Sequence, residues 1–246
     1  MTSTIDDSAR IGTGLTIGAF SVIERDVVVG NNCRIGHHVI LRAGSIIGDD
    51  VRIDDGAIIG KLPMRAAASA VTLADTPLPP RIGSHSLIGS HVIIYAGAEI
   101  GQSVLVADFA SVRERVSVGN FTIVGRGVAI ENDCTIGQHC KIETNAYITA
   151  RSTLADRVFV APGVLTSNDN YLGRTQERFK HFGGVEVRRG GRLGVGAIIL
   201  PNRIIEEEAV VGAGAVLTRD APRETVMTGV PARALRPVSN EQLLED

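Results

Sequence analysis

A six-residue beat governs most of this chain. From Ile11 through Ile17, Ile23, Val29, Ile35, Leu41, Ile47 and Ile53 to Ile59, every sixth residue is aliphatic. The phase returns over fourteen consecutive positions from Ile82 through Ile130 and Ile142 to Val160, and again from Val187 through Ile199 to Leu217. A helical face recurs about every 3.6 residues and a simple strand alternates, so neither explains a reset at six. Four residues after each leading aliphatic stands a second small or branched residue, among them Ser21, Val27, Val39, Ala98, Thr122, Ser152 and Ala215. Each unit is therefore a short straight β segment with two inward positions, followed by a tight bend.

The bends carry Gly12, Gly18, Gly30, Gly36, Gly101, Gly119 and Gly137 directly after leading aliphatics, with Asn32, Asp50 and Asn120 nearby. These residues are expected to supply positive φ or local side-chain to backbone bonding. Three units close a coil of 18 residues, and successive coils stack as parallel strands about 4.7–4.9 Å apart. The core is expected to be a column of aliphatic side chains.

Repeats of this kind mark parallel β-helices, and the chain resembles the hexapeptide-repeat acyltransferases. That resemblance implies an all-β solenoid, a left-handed parallel β-helix. The hand comes from the family, because it is an exception to the right-handed crossover rule. One solenoid domain is expected over 1–238, with loop excursions at 61–81 and 166–184 and a short tail helix in 239–246.

A formal net charge of −2, with no block of like charges, argues against a nucleic-acid surface. No apolar signal region opens the chain and no stretch approaches about 18 uninterrupted apolar residues, so a cytoplasmic protein without a membrane span is expected. Cys33, Cys134 and Cys140 all fall at small inward positions and read as core fillers.

A relative with the same repeat, the γ-type carbonic anhydrase, holds zinc on three histidines. Here His85 and His139 are three coils apart on one side, roughly 14 Å by strand spacing, too far to share a zinc with ligands near about 2.0–2.1 Å. His91 points from a neighbouring side. With His37 and His38, these read as exposed turn residues, and no metal is expected.

Chemistry is expected where the beat stops. The 61–81 loop is proline-rich at its end and mildly basic, and its sequence assigns it no role. The 166–184 loop carries Ser167, Asn168, Asp169, Asn170 and Tyr171, then Glu177, Lys180 and His181, then Gly183 and Gly184. In the galactoside acetyltransferase branch of the family a catalytic histidine opens this loop, and the matching position is Asn168, followed by Asp169. The branch that acetylates amino groups of nucleotide-linked sugars reads Thr-Asn-Asp there, similar to Ser167-Asn168-Asp169.

An alcohol needs a base to become a nucleophile, whereas a neutral amine attacks a thioester once it is oriented. The resemblance therefore implies N-acylation, with Asn168 and Asp169 holding the amine and His181 as the remaining candidate base. The glutamate those sugar enzymes keep 18 residues before the Asn is Ala150 in this chain. Glu143, Asn145, Tyr147 and Lys180 are the candidates for acceptor contacts.

The segment from Leu193 resembles the coenzyme A end of the family. It implies acetyl-CoA as acyl donor, with Val195 and Ala213 along the pantetheine arm, Thr218 and Arg219 near the adenine and its 3′-phosphate, and Arg236 and Arg233 as further phosphate partners. Family members are trimers, so a homotrimer is expected, with a nucleotide-linked amino sugar as acceptor. The alternatives are an O-acetyltransferase using His181 as base and a non-catalytic assembly subunit. Arg203 stands where the beat expects a small inward residue, so either the coil is distorted there or the stem snorkels outward.

Overall fold

The computed structural model describes residues 2–67, 69 and 77–245. The remainder of the 61–81 segment lies outside the described residues.

Each six-residue unit contributes one short strand, and the strands fall in rotation onto three sheets of 11, 10 and 12 strands, parallel but for the last strand of the third. These are faces 1, 2 and 3 of a triangular prism, a left-handed parallel β-helix as the family resemblance implied. Register follows the beat. On face 1, Ile23 pairs with Leu41, Leu41 with Ile59 and Ile59 with Ile94. The 61–81 excursion thus leaves the ladder in register. The 166–184 excursion does the same, because Leu154 pairs with Val187 across it on face 2.

Leading aliphatics such as Leu41, Ile59, Ile94, Ile130 and Ile148 are fully buried, as are the small inward residues Val27, Ala98 and Ala215. Each buried Ile or Leu contributes about 1.5–3 kcal/mol. The three cysteines are free and buried in this column, and burial pushes the Cys134 thiol up to about 12.

The glycines work differently from the expectation. Positive φ falls three residues after the leading aliphatic, at Gly14, Gly44, Gly97 and Gly127 and also at Asn32, Asp50, His85 and His139. Glycines directly after the aliphatic are required by close approach: a Cβ on Gly12 would lie 2.6 Å from the Gly30 backbone in the next coil. His38, His85, His91 and His139 are exposed turn residues. Three of them stack on a phenylalanine one coil away, His38 on Phe20, His91 on Phe109 and His139 on Phe121.

At the C-terminal end the strand Thr225–Thr228 joins face 3, and Arg233–Pro237 folds back antiparallel on it. This hairpin is invisible to a six-residue beat. The tail contributes a single 3₁₀ turn, Asn240–Gln242.

Candidate functional site

Both excursions leave the prism at the same edge. The first departs from the face 1 strand Ile58–Lys61 and rejoins on face 2 at Arg81–Ile82; the second departs from Leu165–Thr166 and rejoins at Glu186–Val187. Five coil spacings separate the two departures along edge 1–2, about 24 Å.

The 166–184 loop is fastened by its own polar residues. Thr166 takes a leading position and is nearly buried; its hydroxyl donates to the Tyr147 carbonyl at 3.0 Å and accepts the Thr149 N–H at 2.7 Å. The Asn168 carbonyl accepts the Gly183 N–H at 3.2 Å, which closes the base of the loop. Its side-chain amide has no hydrogen-bond partner among the described residues.

Asp169 is fully engaged: Oδ1 accepts the Tyr171 N–H at 2.9 Å, Oδ2 accepts the Gly173 N–H at 3.0 Å, and Arg178 Nε lies 3.2 Å from Oδ2. Burial raises the affinity of this carboxyl for a proton, but the two N–H groups and Arg178 outweigh it and hold Asp169 below the usual carboxylate range.

On the returning arm, the one-turn helix Arg178–His181 places Lys180 Nζ 2.9 Å and His181 Nε2 3.5 Å from the Glu177 carboxylate. Tyr171 stacks on the His181 ring with centroids 5.9 Å apart. The loop therefore carries Asn168 and Asp169, half-buried at its base, and Lys180 and His181, exposed on its returning arm.

The other sequence-predicted residues divide between two edges. Glu143, Asn145, Val195 and Ala213 occupy bends of edge 3–1, and Val195 is 57% exposed. Beside them Gly196 and Gly214 face open space. Tyr147 stands on the outer surface of face 1 between the edges, half-buried, with its hydroxyl pushed up by burial. Thr218 and Arg219 return to edge 1–2 two coils beyond Asn168. Arg233 and Arg236 lie on the antiparallel strand at the end of face 3. One protomer thus separates the loop residues from the expected pantetheine shelf by the width of face 1.

Sequence reasoning missed a buried ionic ladder on edge 1–2 between the loops. Arg113 donates to the Glu114 carboxylate through Nε at 2.8 Å and Nη2 at 3.0 Å, and through Nη1 to Glu131 at 3.2 Å. Glu114 is fully buried. The Arg113 guanidinium lies 5.0 Å from the centroid of the Tyr95 ring, and Lys61 Nζ lies 5.6 Å from it. Burial pushes the Glu131 carboxyl up, against the pull of Arg113.

The signal was present with a period of 18: Tyr95, Arg113 and Glu131 stand directly after leading aliphatics, where most coils of the other edges carry glycine. Glu114 is three coils from Asn168, about 14 Å, so it does not replace the glutamate missing at Ala150. Arg203 snorkels: Nη1 reaches Asp220 at 3.3 Å and Nε donates to the Pro201 carbonyl at 3.2 Å. Among the described residues no three His, Cys, Asp or Glu side chains are grouped to hold a metal ion.

Known proteins share this architecture. The family model described as "Bacterial transferase hexapeptide (six repeats)" matches residues 8–43, and that described as "Hexapeptide repeat of succinyl-transferase" matches 26–61 and 79–107. A dTDP-3-amino-3,6-dideoxy-α-D-galactopyranose 3-N-acetyltransferase of Aneurinibacillus thermoaerophilus is 44% identical over 52 residues, 21% of this chain and 27% of the relative. The galactoside O-acetyltransferase of Escherichia coli is 28% identical over 93 residues, 36% of this chain and 45% of the relative. The chain therefore spans less than half the length of these curated relatives.

A solved UDP-N-acetylglucosamine acyltransferase from Bacteroides fragilis superposes with a TM-score of 0.57 at 20% identity, covering 96% of this chain and 72% of that one, which shows a shared fold. The hexapeptide-repeat models thus match 8–61 and 79–107, about a third of the chain, and the six-residue register they describe runs on through all three faces.

Proposed function

We propose that this protein is an acyl-CoA-dependent N-acyltransferase that moves the acetyl group of acetyl-CoA to an amino group of a nucleotide-linked amino sugar. The observation that carries the proposal is Asn168: its side-chain amide is unengaged at the base of a loop whose shape is held by Asp169, at the position where the O-acetylating branch has a histidine. The short match to a nucleotide-sugar N-acetyltransferase supports the same choice.

In the proposed reaction the Asn168 amide oxygen accepts a hydrogen bond from the acceptor amine and aims its lone pair at the thioester carbonyl. The new C–N bond forms, the C–S bond breaks, and the coenzyme leaves as a thiolate that takes the surplus amine proton. Asp169 positions the loop and does not collect that proton, because both its oxygens are occupied and its affinity for a proton is lowered. The donor arm runs along Val195 and Ala213, where neighbouring glycines leave the backbone accessible; Thr218, Arg219, Arg233 and Arg236 meet the adenosine phosphates. Glu143, Asn145, Tyr147 and Lys180 contact the acceptor.

A cytoplasmic homotrimer completes the site, since one copy's loop edge and another's shelf edge must meet. The outer surface of face 1 supports this: it presents Val22, Ile40, Ile58, Ile93, Leu165 and Ile198, whereas face 2 intersperses Val28, Ile46 and Ile204 with Arg10, Arg81, Glu99, Thr135 and Glu186.

The decisive assay follows free thiol release from acetyl-CoA with nucleotide amino sugars and matched hydroxyl acceptors. Asn168→Ala should lower kcat by at least tenfold with amines, and His181→Ala by less than threefold. Turnover with hydroxyl acceptors alone, abolished by His181→Ala, would establish the O-acyl alternative instead. Retention of full-length chain as a monomer in sedimentation velocity would remove the shared-site part of the proposal.

A further inference from the structure

Arg203 has no place in the acyl-transfer scheme, yet the fold presents it in a built setting. The 166–184 loop re-enters the prism through Gly183 and Gly184, and a cleft of about 350 Å³ opens there, with Arg151 on one side and Arg203 on the other. The glycine pair makes the cleft. A Cβ on Gly184 would lie 2.5 Å from the Arg151 backbone, and one on Gly183 would collide with the Asn202 side chain. The Asn202 N–H donates to the Gly184 carbonyl at 3.0 Å, so Arg151, Gly184 and Asn202 are stacked in successive coils. The backbones of Arg151 and Arg203 are then two coil spacings apart, about 10 Å, a gap that two long guanidinium side chains close around a bridging group.

Arg151 is poised without an anionic partner. Its guanidinium rests on the Phe182 ring at 5.5 Å from the centroid, and among the described residues none of its N–H groups has a hydrogen-bond or ion-pair partner. Stacking on an aromatic ring fixes the plane of a guanidinium while leaving its edge free for bidentate bonding. Arg203 uses Nη1 and Nε on Asp220 and Pro201 and leaves Nη2 unengaged among the described residues. Glu186, the carboxylate lining the cleft, is taken up by Arg188 at 3.0 Å. The cleft therefore carries the free guanidinium edge of Arg151, the unengaged Nη2 of Arg203 and glycine backbone that allows close approach.

The geometry points to a phosphate-binding site in which Arg151 and Arg203 clamp a diphosphate ester. Two sources of that chemistry are at hand: the diphosphate of a nucleotide-linked acceptor, which rests on the function proposed above, and the phosphates of the coenzyme. The acceptor is favoured because the cleft adjoins the loop that carries Asn168.

Calorimetric titration of the full chain with UDP, inorganic pyrophosphate and coenzyme A reads binding without turnover, so a failed transfer assay does not obscure the result. UDP and pyrophosphate should bind with an affinity that falls steeply with salt. Arg151→Gln and Arg203→Gln should each weaken it at least tenfold, with unchanged thermal unfolding and unchanged affinity for coenzyme A. Arg151→Lys should keep part of it, since charge survives and the bidentate edge is lost. Loss of coenzyme A affinity with UDP unaffected would move the bound phosphate to the donor. Absence of any diphosphate binding by the unaltered chain, or an affinity in both Gln variants equal to that of the unaltered chain, would overturn the site.

Discussion

Edge 1–2 and edge 2–3 of the prism are made by the same six-residue unit and do opposite things with it. On edge 2–3, Gly30, Gly101 and Gly137 follow leading aliphatics, and an Asx side chain from the next coil caps the backbone beside each. Asp49 Oδ1 accepts the Asn31 N–H at 2.6 Å, Asn120 Oδ1 the Gln102 N–H at 2.8 Å, and Asp156 Oδ1 the Gln138 N–H at 2.9 Å. Those oxygens lie 2.5 Å from where a Cβ on Gly30, Gly101 and Gly137 would be.

On edge 1–2 the equivalent positions are Ala43, Ala96, Glu114, Asn132 and Ala150, and the Asx residue among them, Asn132, directs its Nδ2 to the Asp133 carboxylate. The glycine places are taken by Glu24, Arg42, Tyr95, Arg113 and Glu131, which bond to one another from coil to coil. Where side chains cap the backbone, the edge is closed. Where they do not, the edge is free to carry ladders, loops and chemistry.

The largest effect should come from the buried part of edge 1–2. Glu114→Ala leaves the Arg113 guanidinium largely desolvated with its bidentate partner gone. Removing one member of such a pair costs about 3–5 kcal/mol, which urea denaturation should register as a lower midpoint with an unchanged slope. A loss below about 1 kcal/mol would mean that the ladder is not a structural element of the edge.

Edge 2–3 should resist a single methyl group. Gly30→Ala drives Cβ into Asp49 Oδ1 and the Gly48 backbone, and overpacking of this kind costs about 1–3 kcal/mol. Alanine at the equivalent place on edge 1–2, as in Glu24→Ala, meets no capping oxygen. If both alanines prove equally damaging, the capping account of the glycines fails.

The loop tests the same contrast locally. Asp169→Asn at neutral pH removes one acceptor and the charge facing Arg178, so the Tyr171 and Gly173 N–H groups should exchange faster while global unfolding is unchanged. The pH dependence has a definite sign. The folded Asp169 carboxyl titrates below its ordinary value, so its stabilisation is present above the unfolded pKa and is lost as pH falls through the folded one. Exchange of those two amides should stay slow through neutral and mildly acidic pH and accelerate only in the strongly acidic range.

How far the sequence reached follows from which forces are periodic. Burial of Ile59, Ile94 and Ile130 repeats with the coil, so the prism, its register and the two departures at 61 and 166 were legible. Asp169 was legible as a polar loop residue, but its hydrogen bonds to the Tyr171 and Gly173 N–H groups depend on loop backbone shape, which no spacing encodes. The Glu114 ladder was written at a period of 18, three times the beat, and is found only when the three edges are read separately. The Arg151–Arg203 cleft joins residues 52 positions apart across an insertion, and only the return of the loop brings them together. The hairpin over Arg233–Pro237 reverses strand direction and so has no counterpart in the repeat.

The smallest effect belongs to the exposed end of edge 1–2. Arg42 Nη1 lies 2.6 Å from Glu24 Oε1, with the two side chains 49% and 30% exposed, and Glu24 also accepts the Ala43 N–H at 2.9 Å. Water screens this pair, so a double-mutant cycle over Glu24→Ala and Arg42→Ala should give a coupling of about 0.2–1 kcal/mol, falling further as salt is raised. The equivalent cycle over Arg113 and Glu131, which are less exposed, should give a larger and less salt-sensitive value. Equal couplings would mean that burial does not set the strength of this ladder, and that both ends of the edge owe their order to the β-helix backbone alone.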